Sequence, residues 1–282
     1  MKVIRTVNEM QQYMRKRKQQ GDTVGFVPTM GYLHEGHLSL MDYAKEQSDF
    51  VVTSIFVNPL QFGPNEDFDQ YPRDFERDEQ LAREHGTDLL FYPSIEEMYP
   101  KNDGVMLKVH ARTDVLCGEK RPGHFDGVVT VLTKLFHIIQ PDRAFFGLKD
   151  AQQVAIVDDL IHSYFFPIEL IGCPTVREED GLAKSSRNVN LSESEREEAP
   201  KLYQLLLHAK EQAVNGADPK VVEGDLLKGL KEVRYGHVDY VQILSYPDLE
   251  PIKTFHQKTI IALAYKFENV RLIDNIIVDE QH

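Results

Sequence analysis

A regular alternation of apolar, strand-like runs with helix-like runs between residues 23 and 173 is what most restricts the folds open to this chain. "TVGFVP" (23–28) and "DFVVTSIFVN" (49–58) are β-branched and aromatic, the mark of strands buried on both faces. Between them, "GHLSLMDYAKEQS" carries Leu38, Met41, Ala44 and Lys45 at helical spacing, so 24–57 reads as a βαβ unit. "DFERDEQLAREHG" (74–86) reads as a helix stopped by Gly86, its charge-rich stretch Arg73–Glu84 a solvated face, and "DLLFYP" as the next strand. The pattern repeats with "FDGVVTVLTKLFHIIQ", apolar on nearly every side and hence deeply packed. "DRAFFG" follows as strand, "DAQQVAIVDDLIHSY" as helix and "FPIELIGC" as strand. Such a chain is α/β, a mostly parallel sheet covered on both faces, with ligands held beyond the carboxyl ends of its strands.

After about residue 176 the pattern changes. "SESEREEAPKLYQLLLHAKEQAVN" and "DPKVVEGDLLKGLKEV" read as helices, the first capped by Ser192 with Glu195 three places on. "HVDYVQILSY", "KTIIALAYKF" and "VRLIDNIIV" read as three closely spaced strands of an antiparallel sheet. The expected division is 1–175 for the parallel-sheet domain and 176–282 for a smaller α+β domain, joined near the polar stretch "REEDGLAKSSRN".

Bulk properties remove some classes of function. A formal charge of −13 argues against broad nucleic-acid binding, which asks for a basic face, though a few local cations can still hold an anionic small molecule. Cys117 and Cys173 are the two cysteines and lie far apart in sequence, which argues against a disulfide framework or a cysteine zinc site. No apolar run is long enough for a bilayer, and "MKVIRTVNEM" lacks the apolar stretch of a secretion signal. The cytoplasm is therefore the expected compartment, with no membrane partner.

Four polar stretches fall at expected strand ends. In "PTMGYLHEGHLSL" (28–40), Gly31 and Gly36 have P-loop spacing, but His37 and Leu38 stand where that motif needs Lys and Ser or Thr; a dinucleotide G-x-G-x-x-G is also absent. His34 and His37 then admit three readings: a zinc pair, an ordinary helix cap, or a grip on nucleotide phosphate. The last has a physical basis. The first N–H groups of a helix point at whatever occupies the cleft, and an imidazolium beside them can donate to phosphate oxygens and take up charge that grows on a leaving pyrophosphate.

"GLAKSSRN" (181–188) sets Lys184, Ser185, Ser186 and Arg187 in a row; it reads either as a solvated linker or as mobile cations and hydroxyls closing on a triphosphate. "FGLKDAQQ" (146–153) offers Lys149 for a phosphate, Asp150 for a helix cap or ribose, and Gln153 for a hydroxyl or carboxylate. "FVNPLQFGPNEDFDQYP" (56–72) places Asn58 and Gln61 near its mouth.

Taken in order, "PTMGYLHEGH", "FVNPLQFGPNEDFDQYP", "RPGHFDGVVTVLTKLF", "FGLKDAQQ" and "REEDGLAKSSRN" resemble the pantothenate synthetase (pantoate–β-alanine ligase) family, and "RLIDNIIV" also looks familial. The resemblance implies a Rossmann-like nucleotidylyl-transferase domain with a carboxyl-terminal lid, in a cytoplasmic homodimer. It also implies joining of (R)-pantoate to β-alanine at the expense of ATP through an adenylate, with Mg2+ required.

Residue by residue, the resemblance puts Met30, Gly31, Tyr32, Leu33, His34, Glu35, Gly36 and His37 on ATP, the two histidines on its phosphates and His37 as proton donor. Gly147, Leu148, Lys149 and Asp150 would also contact ATP, Lys149 on its phosphates, and Val176 would touch adenine. Lys184, Ser185, Ser186 and Arg187 would clamp the phosphates. Gln61 and Gln153 would hold pantoate, and Gln61 would neighbour β-alanine. Protein ligands for magnesium are not implied. The rivals are a transferase moving AMP onto a phosphate ester, a non-catalytic nucleotide-binding module and a zinc hydrolase.

Overall fold

The computed structural model describes residues 1–64, 66, 68–100, 104–268 and 270–279. The elements run β1 (Lys2–Ile4), α1 (Val7–Gln20), β2 (Val24–Thr29), α2 (Glu35–Gln47), β3 (Phe50–Ile55), α3 (Phe75–Glu84), β4 (Leu89–Phe91) and α4 (Ile95–Met98). They continue with α5 (Leu116–Lys120), α6 (His124–Ile139), β5 (Arg143–Gly147), α7 (Ala151–Ser163) and β6 (Glu169–Cys173). The carboxyl-terminal part holds α8 (Glu193–Glu198), α9 (Lys201–Val214), α10 (Pro219–Lys231), β7 (Gly236–Ser245), β8 (Thr259–Phe267) and β9 (Arg271–Val278). Two compact units emerge. The first is 1–111, 121–148 and 156–174; the second is 112–120, 149–155 and 175–282.

In the first unit, six parallel strands form one sheet in the order β1-β4-β3-β2-β5-β6. The short β1 and the helix α1 extend the expected alternation at its amino end. β2 has β3 on one side and β5 on the other, so the strand order reverses beside it. In an open α/β sheet that reversal opens a crevice beyond the strands' carboxyl ends. Every residue of β3 and β4 is buried, Thr53 and Ser54 of β3 among them. α6 buries Phe125, Val128, Val129, Leu132, Leu135, Phe136 and Ile139, matching a helix apolar on nearly every side.

The solvated reading of Arg73–Glu84 fails at one residue. α3 starts at Asp74, whose side chain accepts the Arg77 N–H at 3.2 Å, and most of its charges face water. Asp78, however, is 2% exposed. A carboxylate is buried only where donors meet it, and Asp78 meets two.

In the second unit, β7, β8 and β9 form an antiparallel sheet in that order. α9 and α10 cover it with Leu202, Leu206, Leu226 and Leu230, against Ile261, Leu263 and Phe267 of β8. The Tyr265 hydroxyl, fully buried, donates to the Val233 carbonyl at 2.7 Å. The stretch expected as one helix over 192–215 is two. Pro200 has no N–H to donate back to residue 196, so α8 ends at Glu198 and α9 begins after Pro200. The expected cap is present: Ser192 and Glu195 form a reciprocal capping box.

Candidate active site

The turn after β2 is built around Thr29, Gly31 and Asp78. Thr29 Oγ1 donates to the Ser54 carbonyl at 2.8 Å and accepts the Gly31 N–H at 3.2 Å, tying the end of β2 to β3. Gly31 sits at φ +83°, and a Cβ there would come within 2.9 Å of Ile55 Cγ2 and 3.0 Å of Asp78 Oδ2, so no other residue fits. Asp78 accepts the N–H of Tyr32 and of Leu33, each at 2.7 Å. Burial pushes the Asp78 carboxyl above its ordinary range, while those two N–H groups and the Arg77 guanidinium, 3.5 Å away, pull it back.

From this turn the chain enters α2 through His34. Its Nδ1 accepts the Gly36 N–H at 3.1 Å, and the His34 N–H points at His37 Nδ1 at 3.4 Å, a reciprocal cap made by two imidazoles. The ring centroids are 4.0 Å apart. Because both Nδ1 atoms accept from backbone, the hydrogen-bond pattern assigns the proton of each neutral ring to Nε2. Of the three readings of this motif, the helix cap is present in the geometry. Leu33 is fully buried and Glu35 is exposed on the first turn.

Also in the first unit, Gln61 lies in the loop after β3. Its Nε2 meets Met30 Sδ at 3.3 Å, so the pantoate candidate touches the first residue of the ATP candidates. Asn58 is the hub of that loop. It is 1% exposed, donates to Gln61 Oε1 and to the Gly127 carbonyl at 3.1 Å each, and accepts from the Tyr99 hydroxyl at 2.8 Å.

The Gln61 carbonyl lies 2.8 Å from His124 Nδ1 and 3.3 Å from the Arg121 guanidinium. Arg121 pairs with Glu66 at 2.7 Å through Nε. Burial raises the Glu66 carboxyl, but the Arg121 hydrogen bond and charge outweigh it and hold it below the ordinary range. Arg121, His124 and Glu66 had no assigned role from sequence, although "RPGHF" concentrates cationic groups just before a buried helix. Asn65 and Asp67 of the same loop lie outside the described residues. Gly147 and Leu148 stand where β5 ends.

In the second unit, the stretch from Lys149 into α7 carries Lys149, Asp150 and Gln153. Asp150 is exposed, its carboxylate 3.9 Å from Lys149 Nζ, and Gln153 is half-buried. Gln152, unassigned from sequence, is buried and fixes this stretch. It accepts the Cys117 N–H at 2.9 Å and donates to the carbonyls of Arg112 and Val115.

Val176 and Lys184 close a small hairpin in which the Val176 carbonyl accepts the Lys184 N–H at 3.0 Å. Its turn needs Gly181, at φ +93° with Tyr203 Cδ1 only 2.7 Å from where a Cβ would stand. Ser185 then caps the short turn Ser186–Asn190 by accepting the Arg187 N–H at 3.3 Å, with Ser186 buried. Lys149 and Ser185, far apart in sequence, line one recess together with Ala183 and Asp274.

The pattern of the pantoate-beta-alanine ligase family matches residues 2–277. Pantothenate synthetase of Geobacillus sp. strain WCH70 is 58% identical over 274 residues, which cover 97% of each chain. That of Halalkalibacterium halodurans is 57% identical over 277 residues, covering 98% of each. Among solved structures, pantothenate synthetase from Thermus thermophilus superposes with a TM-score of 0.93 at 45% identity, covering 98% of this chain and 99% of that one. Pantoate-beta-alanine ligase from Francisella tularensis, complexed with beta-gamma ATP and beta-alanine, gives 0.82 at 33% identity, covering 98% and 97%. With a family pattern that runs almost from end to end and relatives this similar over their whole lengths, the chain belongs to the pantoate–β-alanine ligase family.

Proposed function

We propose that this chain joins (R)-pantoate to β-alanine at the expense of ATP through a pantoyl adenylate, releasing pyrophosphate and then AMP. The family supplies the overall reaction. The observation that carries the stepwise reading is the imidazole pair at the amino end of α2, just beyond β2 at the point where strand order reverses. A helix amino terminus and two imidazoles lie together there, which suits an anion whose charge grows during reaction.

A carboxylate and an amine do not condense directly in water, because an oxide is a poor leaving group. Adenylation removes that obstacle. A pantoate carboxylate oxygen forms a bond to the α-phosphorus while the bond to the bridging oxygen breaks and pyrophosphate leaves. The amine of β-alanine then attacks the acyl carbon, the C–O bond to AMP breaks, and the amine proton passes to solvent or to the phosphate. Neither step needs a protein nucleophile. Positioning and charge stabilisation carry most of the lowering of the barrier.

In this reading Met30 to His37 line the ATP site, with His34 and His37 on the phosphates and His37 donating as pyrophosphate departs. Gly147 to Asp150 and Val176 complete the ATP contacts. Lys149, Lys184, Ser185, Ser186 and Arg187 hold the phosphates. Gln61 and Gln153 hold pantoate, and Gln61 also neighbours β-alanine. Residues 1–175 carry most of the substrate contacts, and 176–282, with Val176 and the Lys184–Arg187 clamp, act as a lid that keeps water from the adenylate.

Magnesium takes mainly phosphate and water oxygens with one or two carboxylates. Among the described residues no group of three or more His, Cys, Asp or Glu side chains could hold a metal, so a metal borne by the nucleotide fits better than a protein cage. The ion would offset triphosphate charge. The reading also takes the family's homodimer and cytoplasmic setting. No helix among the described residues is long and apolar enough to cross a membrane.

Exchange of labelled pyrophosphate into ATP tests the proposal. Exchange that requires pantoate and proceeds without β-alanine is expected; exchange independent of pantoate, or absent while pantothenate forms, overturns the adenylate.

A further inference from the structure

The carboxyl-terminal "RLIDNIIV" has no part in the mechanism above, yet two of its polar residues are buried. Asp274 is 6% exposed and Asn275 8%, both on β9 of the second unit. Buried polar side chains on a sheet face are retained at a cost unless fully engaged, so their partners show what they hold.

Asp274 engages Arg177 through both oxygens, at 2.7 and 2.9 Å, across a sequence separation of 97 residues. Arg177 opens the hairpin that leads into Lys184 and Ser185, and its backbone bridges Ala183 across that hairpin. Its guanidinium also donates to the Gly181 carbonyl at 3.1 Å and lies 3.5 Å from the ring centre of Tyr203. Asn275 points the other way: its Nδ2 donates to the carbonyl of Lys149 at 2.9 Å. Two adjacent residues of one strand thus hold the base of the hairpin and the backbone of Lys149. The recess lined by Lys149, Ser185 and Asp274 lies where these attachments meet.

We infer that Arg177, Asp274 and Asn275 are positioning residues for adenylation, fixing the spacing between Lys149 and the Lys184–Arg187 loop so that both reach one triphosphate. The inference rests on the proposed function and extends it to residues outside the proposed substrate contacts. The physical reason is geometric. A bidentate carboxylate–guanidinium fork fixes direction as well as distance, and a strand is stiffer than the loops it holds. A shift of about 1 Å in a group that orients a reacting phosphate can cost on the order of 10²-fold in rate.

The test compares full-length wild type with Asn275→Leu and Arg177→Lys. Pantoate-dependent pyrophosphate–ATP exchange is measured together with KM for ATP, KM for pantoate and the thermal midpoint. Asn275→Leu keeps side-chain volume but loses the donor to Lys149; Arg177→Lys keeps charge but loses the fork. The expected result is a fall of about tenfold or more in exchange rate, or an equal rise in KM for ATP, with KM for pantoate unchanged to within about twofold.

Exchange and KM for ATP near wild type in a folded Asn275→Leu protein overturn the inference. So does a loss that weakens pantoate and ATP alike and follows the fall in thermal midpoint, since that marks a merely structural role. If Arg177→Lys does not fold, Asn275→Leu decides alone. Wild type that shows no pantoate-dependent exchange overturns the ligase mechanism itself, and the inference with it.

Discussion

Asp78 and Leu33 are joined by a 2.7 Å hydrogen bond from a loop N–H to a buried carboxylate, whose other oxygen takes the Tyr32 N–H at the same distance. Asp78 thus fixes the backbone that leads into His34. Asp78→Asn preserves size but turns one acceptor into a donor facing an N–H. Expected outcomes are a loss of about 1–3 kcal/mol in urea unfolding and a fall of about tenfold or more in adenylation. Wild-type stability and wild-type exchange in the variant would remove Asp78 from the account.

His37 stands at the third position of α2, its Nδ1 turned toward the His34 N–H. On the proposed mechanism His37→Ala removes a donor to developing negative charge, and it is expected to slow pyrophosphate–ATP exchange by roughly 10²- to 10³-fold. The loss should appear in kcat rather than in the binding of pantoate. A folded variant with near-normal exchange contradicts the role.

Glu195 supplies a test in pH. It accepts the Ser192 N–H at 2.8 Å, the Ser192 hydroxyl at 3.0 Å and the Glu268 N–H at 2.9 Å. Burial pushes its carboxyl up, but these donors outweigh burial and hold it below its ordinary value of 4.5. A depressed folded value means stabilisation that is present above the unfolded value and lost as pH falls through the folded one. Glu195→Gln is therefore expected to cost about 1–3 kcal/mol near pH 7. The gap from wild type should close as pH is lowered from about 5 toward 3. A gap constant across that range contradicts the assignment.

How much of this was legible in the sequence depends on the range of the interaction. The strands β2, β3, β5 and β6 and the helix α6 announce themselves by local apolar pattern, and Ser192 with Glu195 announces the start of α8. Pro200 was in plain view, but the apolar period on either side of it was continuous enough to hide the break it forces. Asp78 was hidden among charges: Arg73, Glu76, Arg77 and Glu79 surround it in sequence, and only the turn at Tyr32 and Leu33, some 45 residues earlier, gives it a reason to be buried. Asp274 had the same difficulty over a longer span, since Arg177 is 97 residues away. The histidine pair was legible as a pair. Its capping geometry, with both Nδ1 atoms turned to backbone, required the coordinates.

The most direct measurement follows an oxygen atom. Pantoate carrying 18O in both carboxylate oxygens is incubated with ATP, β-alanine and the protein in unlabelled water, and the products are weighed by mass spectrometry. Attack of the carboxylate on the α-phosphorus transfers a single labelled oxygen to AMP and leaves the other in the amide of pantothenate. Label in AMP and none in pyrophosphate is the predicted result. Unlabelled AMP, or label in pyrophosphate or inorganic phosphate, would contradict it.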